Sequence, residues 1–219
     1  MLLIAFDETG STVIIIFDVE GVLVDGEFLP ELARLVGKQQ EIHEITQRGI
    51  SGEINWEQGL HKRVELLRGL PLQDCVSISD GLPLMKGAVE MAKKFREMSA
   101  IRVGVSGGFS LLANRVKAEL GLDHVFANEL VFHDGRLVGY GLLVSSNKAQ
   151  ILSTAFGDLL KDDRKVAVVD GANDLDLFNL VDLKIAFNAQ EIVKQCADVV
   201  VDEKDLSQIP KVVAENFRE

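Results

Sequence analysis

Cysteine is scarce in this chain: Cys75 and Cys196 are the only two among 219 residues. They stand far apart without metal-ligand spacing, which argues against a disulfide framework and for incidental or buried thiols in a reducing compartment. Long apolar runs are missing too, since none approaches the roughly 20 residues needed to span a bilayer. The N-terminus carries neither the basic flank nor the cleavage site of a signal peptide. These absences predict a soluble, cytoplasmic protein with no membrane partner. Positive charge is also in short supply, with 23 Lys and Arg against 34 Asp and Glu and a net charge of -11. Sequence-independent binding of nucleic acid is therefore a poor default. A small anionic substrate remains compatible, because a few local cations and backbone N–H groups outweigh the global field at short range. Internal repeats and low-complexity segments are absent as well.

A hydrophobic content of 47% suffices for one substantial core, or for a core with a smaller appendage. Short β-branched runs recur at Val13 to Phe17, Ile101 to Val105, Val166 to Val169, Ile185 to Phe187 and Val199 to Val201, with helical patterns between them. That alternation predicts an α/β fold with a mostly parallel sheet covered on both faces. Leu3 to Phe6 reads as an added strand pairing through the Glu8-Thr9-Gly10-Ser11 turn, with Asp7 as a surface hairpin residue. Leu130 to His133 and Arg136 to Tyr140 flank Asp134-Gly135 like a hairpin projecting from the core.

The interval from Phe17 to Ile101 is far longer than one crossover helix needs, and residues 25–81 carry helical periodicity. They read as an inserted helical cap, leaving 1–24 and 82–219 as the core. Within the cap, Ser51 is placed to start a helix bearing Trp56, Leu60, Val64 and Leu67 along one stripe. Arg63 falls inside that stripe. A charged group there either snorkels to solvent or faces a pocket.

Four clusters carry chemistry. Asp18 and Glu20 leave the first core strand at positions i and i+2, able to converge on one site as nucleophile and as proton donor and acceptor, or simply to form a polar turn. Val105-Ser106-Gly107-Gly108-Phe109-Ser110 joins a strand to a helix near Leu111, either as a simple tight turn or as a place where small residues let backbone N–H groups and the Ser106 hydroxyl approach an anion at a helix N-terminus. It lacks dinucleotide-loop spacing. Lys148 stands near the start of a helix containing Ile151, Leu152, Ala155 and Leu159, where a cation is disfavoured unless an anion compensates it. Finally, Asp170-Gly171-Ala172-Asn173-Asp174 follows a buried strand and either supplies hard oxygen donors suited to magnesium or forms an Asp-Gly turn followed by an Asn-Asp helix cap.

The order of these clusters resembles the haloacid dehalogenase superfamily. The segments Gly104 to Phe109 and Asp170 to Asp174 with Phe178, together with Leu120 to Asp123, Phe126 to Asn128 and Leu183 to Phe187, are similar to phosphoserine phosphatases. The resemblance extends from about Val13 over nearly the whole chain. It implies a Rossmann-like core with an inserted helical cap, and a place in serine biosynthesis with a small phosphorylated metabolite as partner. It implies that Asp18 forms a phosphoaspartate and that Mg2+ is held by Asp18, Asp170 and the Glu20 carbonyl, with Asn173 and Asp174 in support. Ser106, Gly107 and Lys148 then hold the phosphoryl group, while Glu27 and Arg63 recognise the amino and carboxylate groups of O-phosphoserine. Trp56 and Ile50 line the lid. The chain departs from the family's pattern at Glu20, where aspartate is usual, at Val22, where threonine is usual, and at Val168-Val169, which lacks a glycine. Hydrolysis of another small phosphate ester, transfer to an alcohol and phosphoserine binding without turnover are the alternatives.

Overall fold

The computed structural model describes residues 13–50, 53–157 and 164–217. Among these, the strands are β1 (Val13–Asp18), β2 (Ile101–Phe109), β3 (His124–His133), β4 (Arg136–Gly141), β5 (Arg164–Val169), β6 (Leu183–Phe187) and β7 (Val199–Val201). They form one sheet in the order β4-β3-β2-β1-β5-β6-β7, parallel except for the β3–β4 pair. Side chains alternate across each strand. Ile15 and Phe17 enter a large cluster on one face, while Ile14 and Ile16 enter a second cluster on the other with Val103, Val105, Ala167 and Val169. Strands covered on both faces need unbroken apolar runs, which is why these segments read so clearly in the sequence.

The helices α1 (Phe28–Leu35), α2 (Gln39–Ile50), α3 (Trp56–Glu65) and α4 (Leu72–Gly81) fill the interval between β1 and β2 before α5 (Ala88–Glu97) returns to the sheet. The outgoing and incoming segments run side by side, through Asp25 N–H to the Pro83 carbonyl at 3.0 Å and Met85 N–H to the Leu23 carbonyl at 2.9 Å. Leu60, Val64 and Leu67 pack in the same cluster as Ile15 and Phe17, so the helices and the sheet share apolar packing. Each such fully buried side chain contributes roughly 1.5–3 kcal/mol relative to an exposed one. Beyond β2 lie α6 (Ser110–Leu120), α7 (Lys148–Phe156), α8 (Glu191–Lys194) and α9 (Ile209–Asn216).

Several local expectations shift. Asn55 caps α3, its side chain accepting the Gln58 N–H at 2.7 Å, because the helix begins at Trp56 rather than directly after Ser51. Ser51 itself lies outside the described residues, as do Leu3 to Phe6, Asp7, the turn at residues 8–11 and Leu159. The Leu130–His133 strand starts earlier, at His124, where it pairs with β2 before turning into β4. The hairpin is thus a continuation of the sheet. Its Asp134-Gly135 turn has φ of 48° and 70°, the left-handed pair a two-residue turn requires. Leu137 exchanges backbone bonds with the 69–70 link between α3 and α4, so the hairpin also braces the helices. No helix among the described residues is long and apolar enough to cross a membrane.

Candidate active site

The central position of β1 places its C-terminal end at the switch point of the sheet, where doubly wound folds open a crevice. Register then assembles the site: Asp18 stands opposite Val105, one residue before Ser106, and Phe17 stands opposite Val168, two before Asp170. Asp18 is 6% exposed. Its Oδ1 accepts the Val19 N–H at 2.8 Å and a bond from Lys148 Nζ at 2.7 Å. Lys148 Nζ also lies 2.5 Å from Asp174 Oδ1. Burial opposes charge on Lys148, but Asp174 and Asp18 outweigh it and hold the ammonium above its ordinary pKa.

The acids outnumber this cation. Carboxylate oxygens of Asp18, Asp170 and Asp174 all lie within 4.8 Å of one another. Burial, reinforced by the charge of Asp18, pushes Asp170 up to about 7 and Asp174 well above the usual carboxylate range. Asp174 Oδ2 is buried without a hydrogen-bond partner. An orphaned buried carboxylate oxygen beside two further acids fits a hard divalent cation, since one more positive charge relieves the crowding that a single lysine leaves. Asp174, expected only in support, is one of the three clustered acids, and Asn173 Nδ2 donates to its Oδ1 at 3.1 Å. Gly21 makes the cluster possible. Its φ is +83°, and a Cβ there would collide with Asp170 Oδ2.

The expected anion cradle is built differently from its sequence reading. Residues 106–109 remain extended as the end of β2, with shifted register against β3, and α6 starts at Ser110, within one residue of the expected Leu111. Ser106 and Gly107 therefore meet the site from a strand end rather than from a helix N-terminus. Ser106 Oγ accepts the Gly108 N–H at 2.9 Å. Asn128 is completely buried and holds this segment from behind, donating from Nδ2 to the Gly107 carbonyl at 2.9 Å. Its Oδ1 accepts the N–H groups of Leu143 and Val144. Asp176 anchors the first turn of α7, accepting the Ala149 N–H at 2.7 Å, and so fixes where Lys148 begins. Neither positioning role was visible in the sequence, although an amide in a buried strand and an acid just past the Asp170–Asp174 loop were the available signals.

A cavity of about 510 Å³ separates the sheet edge from the helices, a size suited to a small metabolite. Asp18, Glu20, Ser106, Gly107, Lys148, Asp170 and Asn173 line one side, and Glu27, Trp56 and Arg63 line the other. Glu20 Oε2 accepts the Phe28 N–H at 2.7 Å. Burial pushes Glu20 up to about 7, with Glu27 and Asp18 adding in the same direction against the Phe28 bond. Burial lowers the Arg63 pKa, opposed by Glu27 and Glu20, and Arg63 Nε donates to the Gly59 carbonyl at 3.3 Å. Arg63 thus faces the pocket, not open solvent. Ile50 ends α2, and its side chain lies outside the described residues. Val22 is fully buried in the larger apolar cluster, which accounts for an aliphatic residue there.

A family model described as haloacid dehalogenase-like hydrolase matches residues 13–182, and the chain belongs to that family. Among curated relatives, a phosphoserine phosphatase of Methanocaldococcus jannaschii is 38% identical over 206 residues, spanning 91% of this chain and 97% of the relative. One from Campylobacter jejuni subsp. doylei is 37% identical, spanning 90% of this chain and 98% of its own. A solved substrate-bound phosphoserine phosphatase complex matches with a TM-score of 0.83 at 36% identity, over 92% of this chain and 98% of that one. A phospho-aspartyl intermediate analogue of phosphoserine phosphatase matches with the same values.

Proposed function

We propose that this chain hydrolyses O-phosphoserine with Mg2+, through a phosphoaspartate on Asp18. The observation that carries the reading is the buried pair Asp18 and Lys148, backed by Asp174, facing across one cavity the oppositely charged pair Glu27 and Arg63. The names of the relatives point the same way. In this reading the helices within residues 25–81 form a cap over a core of 1–24 and 82–219.

Asp18 attacks phosphorus, the bond from phosphorus to the serine oxygen breaks, and Glu20 gives its proton to that oxygen. Glu20, now a carboxylate, takes a proton from water as the water attacks phosphorus, releasing phosphate and the Asp18 carboxylate. The Ser106 hydroxyl, the Gly107 N–H and Lys148 offset the charge on the transferring group. Asp18, Asp170 and the Glu20 carbonyl would hold Mg2+, with Asp174 and Asn173 beside them. Bound there, the ion supplies positive charge against the clustered carboxylates and the phosphoryl oxygens. Arg63 takes the substrate carboxylate and Glu27 its ammonium, while Trp56 closes the apolar side. Both cysteines are free thiols, which supports a cytoplasmic setting.

Phosphate release from a panel of phosphomonoesters with Mg2+ tests the proposal. O-phosphoserine should give the highest kcat/KM. No release from any member by folded, metal-supplied protein would overturn it.

A further inference from the structure

Glu20 is one methylene longer than the aspartate usual at its position, and the structure shows where that length goes. Its Oε2 is held by the Phe28 N–H at 2.7 Å, at the first residue of α1. Its Oε1 occupies the space above Gly108. A Cβ at Gly108 would collide with Glu20 Oε1 and stand 3.1 Å from both Glu20 Cδ and Ser106 Oγ. Gly108 is not among the glycines with positive φ, so the backbone conformation does not demand glycine. The space does.

We propose that Gly108 is a positioning residue for the proton donor: the space left by its missing side chain is the socket that seats the longer arm of Glu20, with the Phe28 N–H as the second anchor. This rests on the reading of Glu20 as the acid that protonates the leaving oxygen. The carboxyl is thus bonded at one oxygen from the helical insertion and given room at the other by the core. A side chain at 108 meets the end of a flexible side chain rather than backbone, so the fold can tolerate it. The carboxyl cannot stay where it is. Either it leaves the Phe28 N–H, or the whole arm turns, and a displacement of about 1 Å is enough to cost up to roughly 100-fold in rate.

Leaving groups distinguish this from a general disturbance. A serine alkoxide needs a proton as it departs, whereas p-nitrophenolate leaves without one. The experiment compares wild type, Gly108→Ala, Glu20→Asp and the double variant on O-phosphoserine and p-nitrophenyl phosphate, with thermal melts of each. Gly108→Ala should lower kcat/KM on O-phosphoserine by about tenfold or more. On the aryl ester it should change kcat/KM, which reports only the steps up to departure of the leaving group and not the later attack of water, by less than about threefold, as should the same substitution on O-phosphoserine in the Glu20→Asp background, where the shorter arm vacates the socket. A Gly108→Ala protein that folds only with Glu20→Asp also supports the socket, and one that folds in neither background overturns it. Equal losses of kcat/KM on both esters, or in both backgrounds, overturn it in favour of a disturbance at Ser106. Wild type that turns over p-nitrophenyl phosphate but not O-phosphoserine overturns the substrate assignment and leaves the socket to be judged on another alkyl phosphate from the panel. Wild type that releases phosphate from no ester sinks the phosphatase reading, and the socket with it.

Discussion

On the sheet side of the cavity Asp18, Ser106, Lys148 and Asp174 are at most 6% exposed, and Lys148 bridges two of the acids. On the helical side Glu27 is exposed, and Arg63 donates to a carbonyl of its own helix. The contrast separates two requirements. In the proposed function, charges that would meet a reacting phosphorus are fixed by buried partners, because preorganised groups cost no rearrangement when charge develops. Groups proposed to read the rest of the ligand keep few partners, so the ligand can become the partner.

The largest break in this contrast should come from Asp18→Asn. Phosphate release should fall by about 10³-fold or more, since the nucleophile acts as part of a unit. The amide keeps the oxygen that accepts from Val19, so a thermal melt without metal should show a folded protein. Lys148→Met tests the fixed side through stability. It strips the cation from Asp18 and Asp174, which should cost about 3 kcal/mol in urea unfolding without metal, and added Mg2+ should recover part of that loss. Unchanged stability would mean the array is not held as tightly as its burial implies.

Arg63→Ala addresses the recognition side. KM for O-phosphoserine should rise by about tenfold or more, as expected for losing a charged hydrogen bond, while KM for phosphoethanolamine, which lacks the carboxylate, should hold. Equal losses on both esters would remove the carboxylate role. The smallest effect belongs to the rim, where Ser146 Oγ donates to Glu57 Oε1 at 3.1 Å. Glu57→Gln should change unfolding free energy by less than about 1 kcal/mol, because exposed pairs contribute little. A larger change in melting would show that this contact holds the helices against the core.

Much of this contrast was legible beforehand. Strand segments such as Val166 to Val169 announce themselves because both faces are buried, and the acids Asp18 and Asp170 stand out as the first polar residues after such runs. Arg63 was conspicuous as a charge in an apolar stripe. Other features were hidden. The cradle looked like a helix N-terminus because glycines usually break a strand, yet β2 continues through Ser106-Gly107-Gly108, braced by Asn128 from β3. Ser51 satisfied the composition rule for a cap, but Asn55 sits beside the first helical turn and takes the bond. Asp174 looked subordinate, and became a full member of the acid cluster only through the turn at Ala172–Asp174.

Taken by itself, the sequence determined the α/β class, the helical interval before Ile101 and the residue types waiting at each strand end, because periodicity and turn chemistry are local. The tertiary structure alone decided that Lys148 meets Asp18 across 130 positions, that Asp174 closes the array and that Gly108 makes room for Glu20. Those outcomes depend on parallel-strand register and on packing between distant segments. No local pattern encodes them, since each contact exists only once its neighbours are in place.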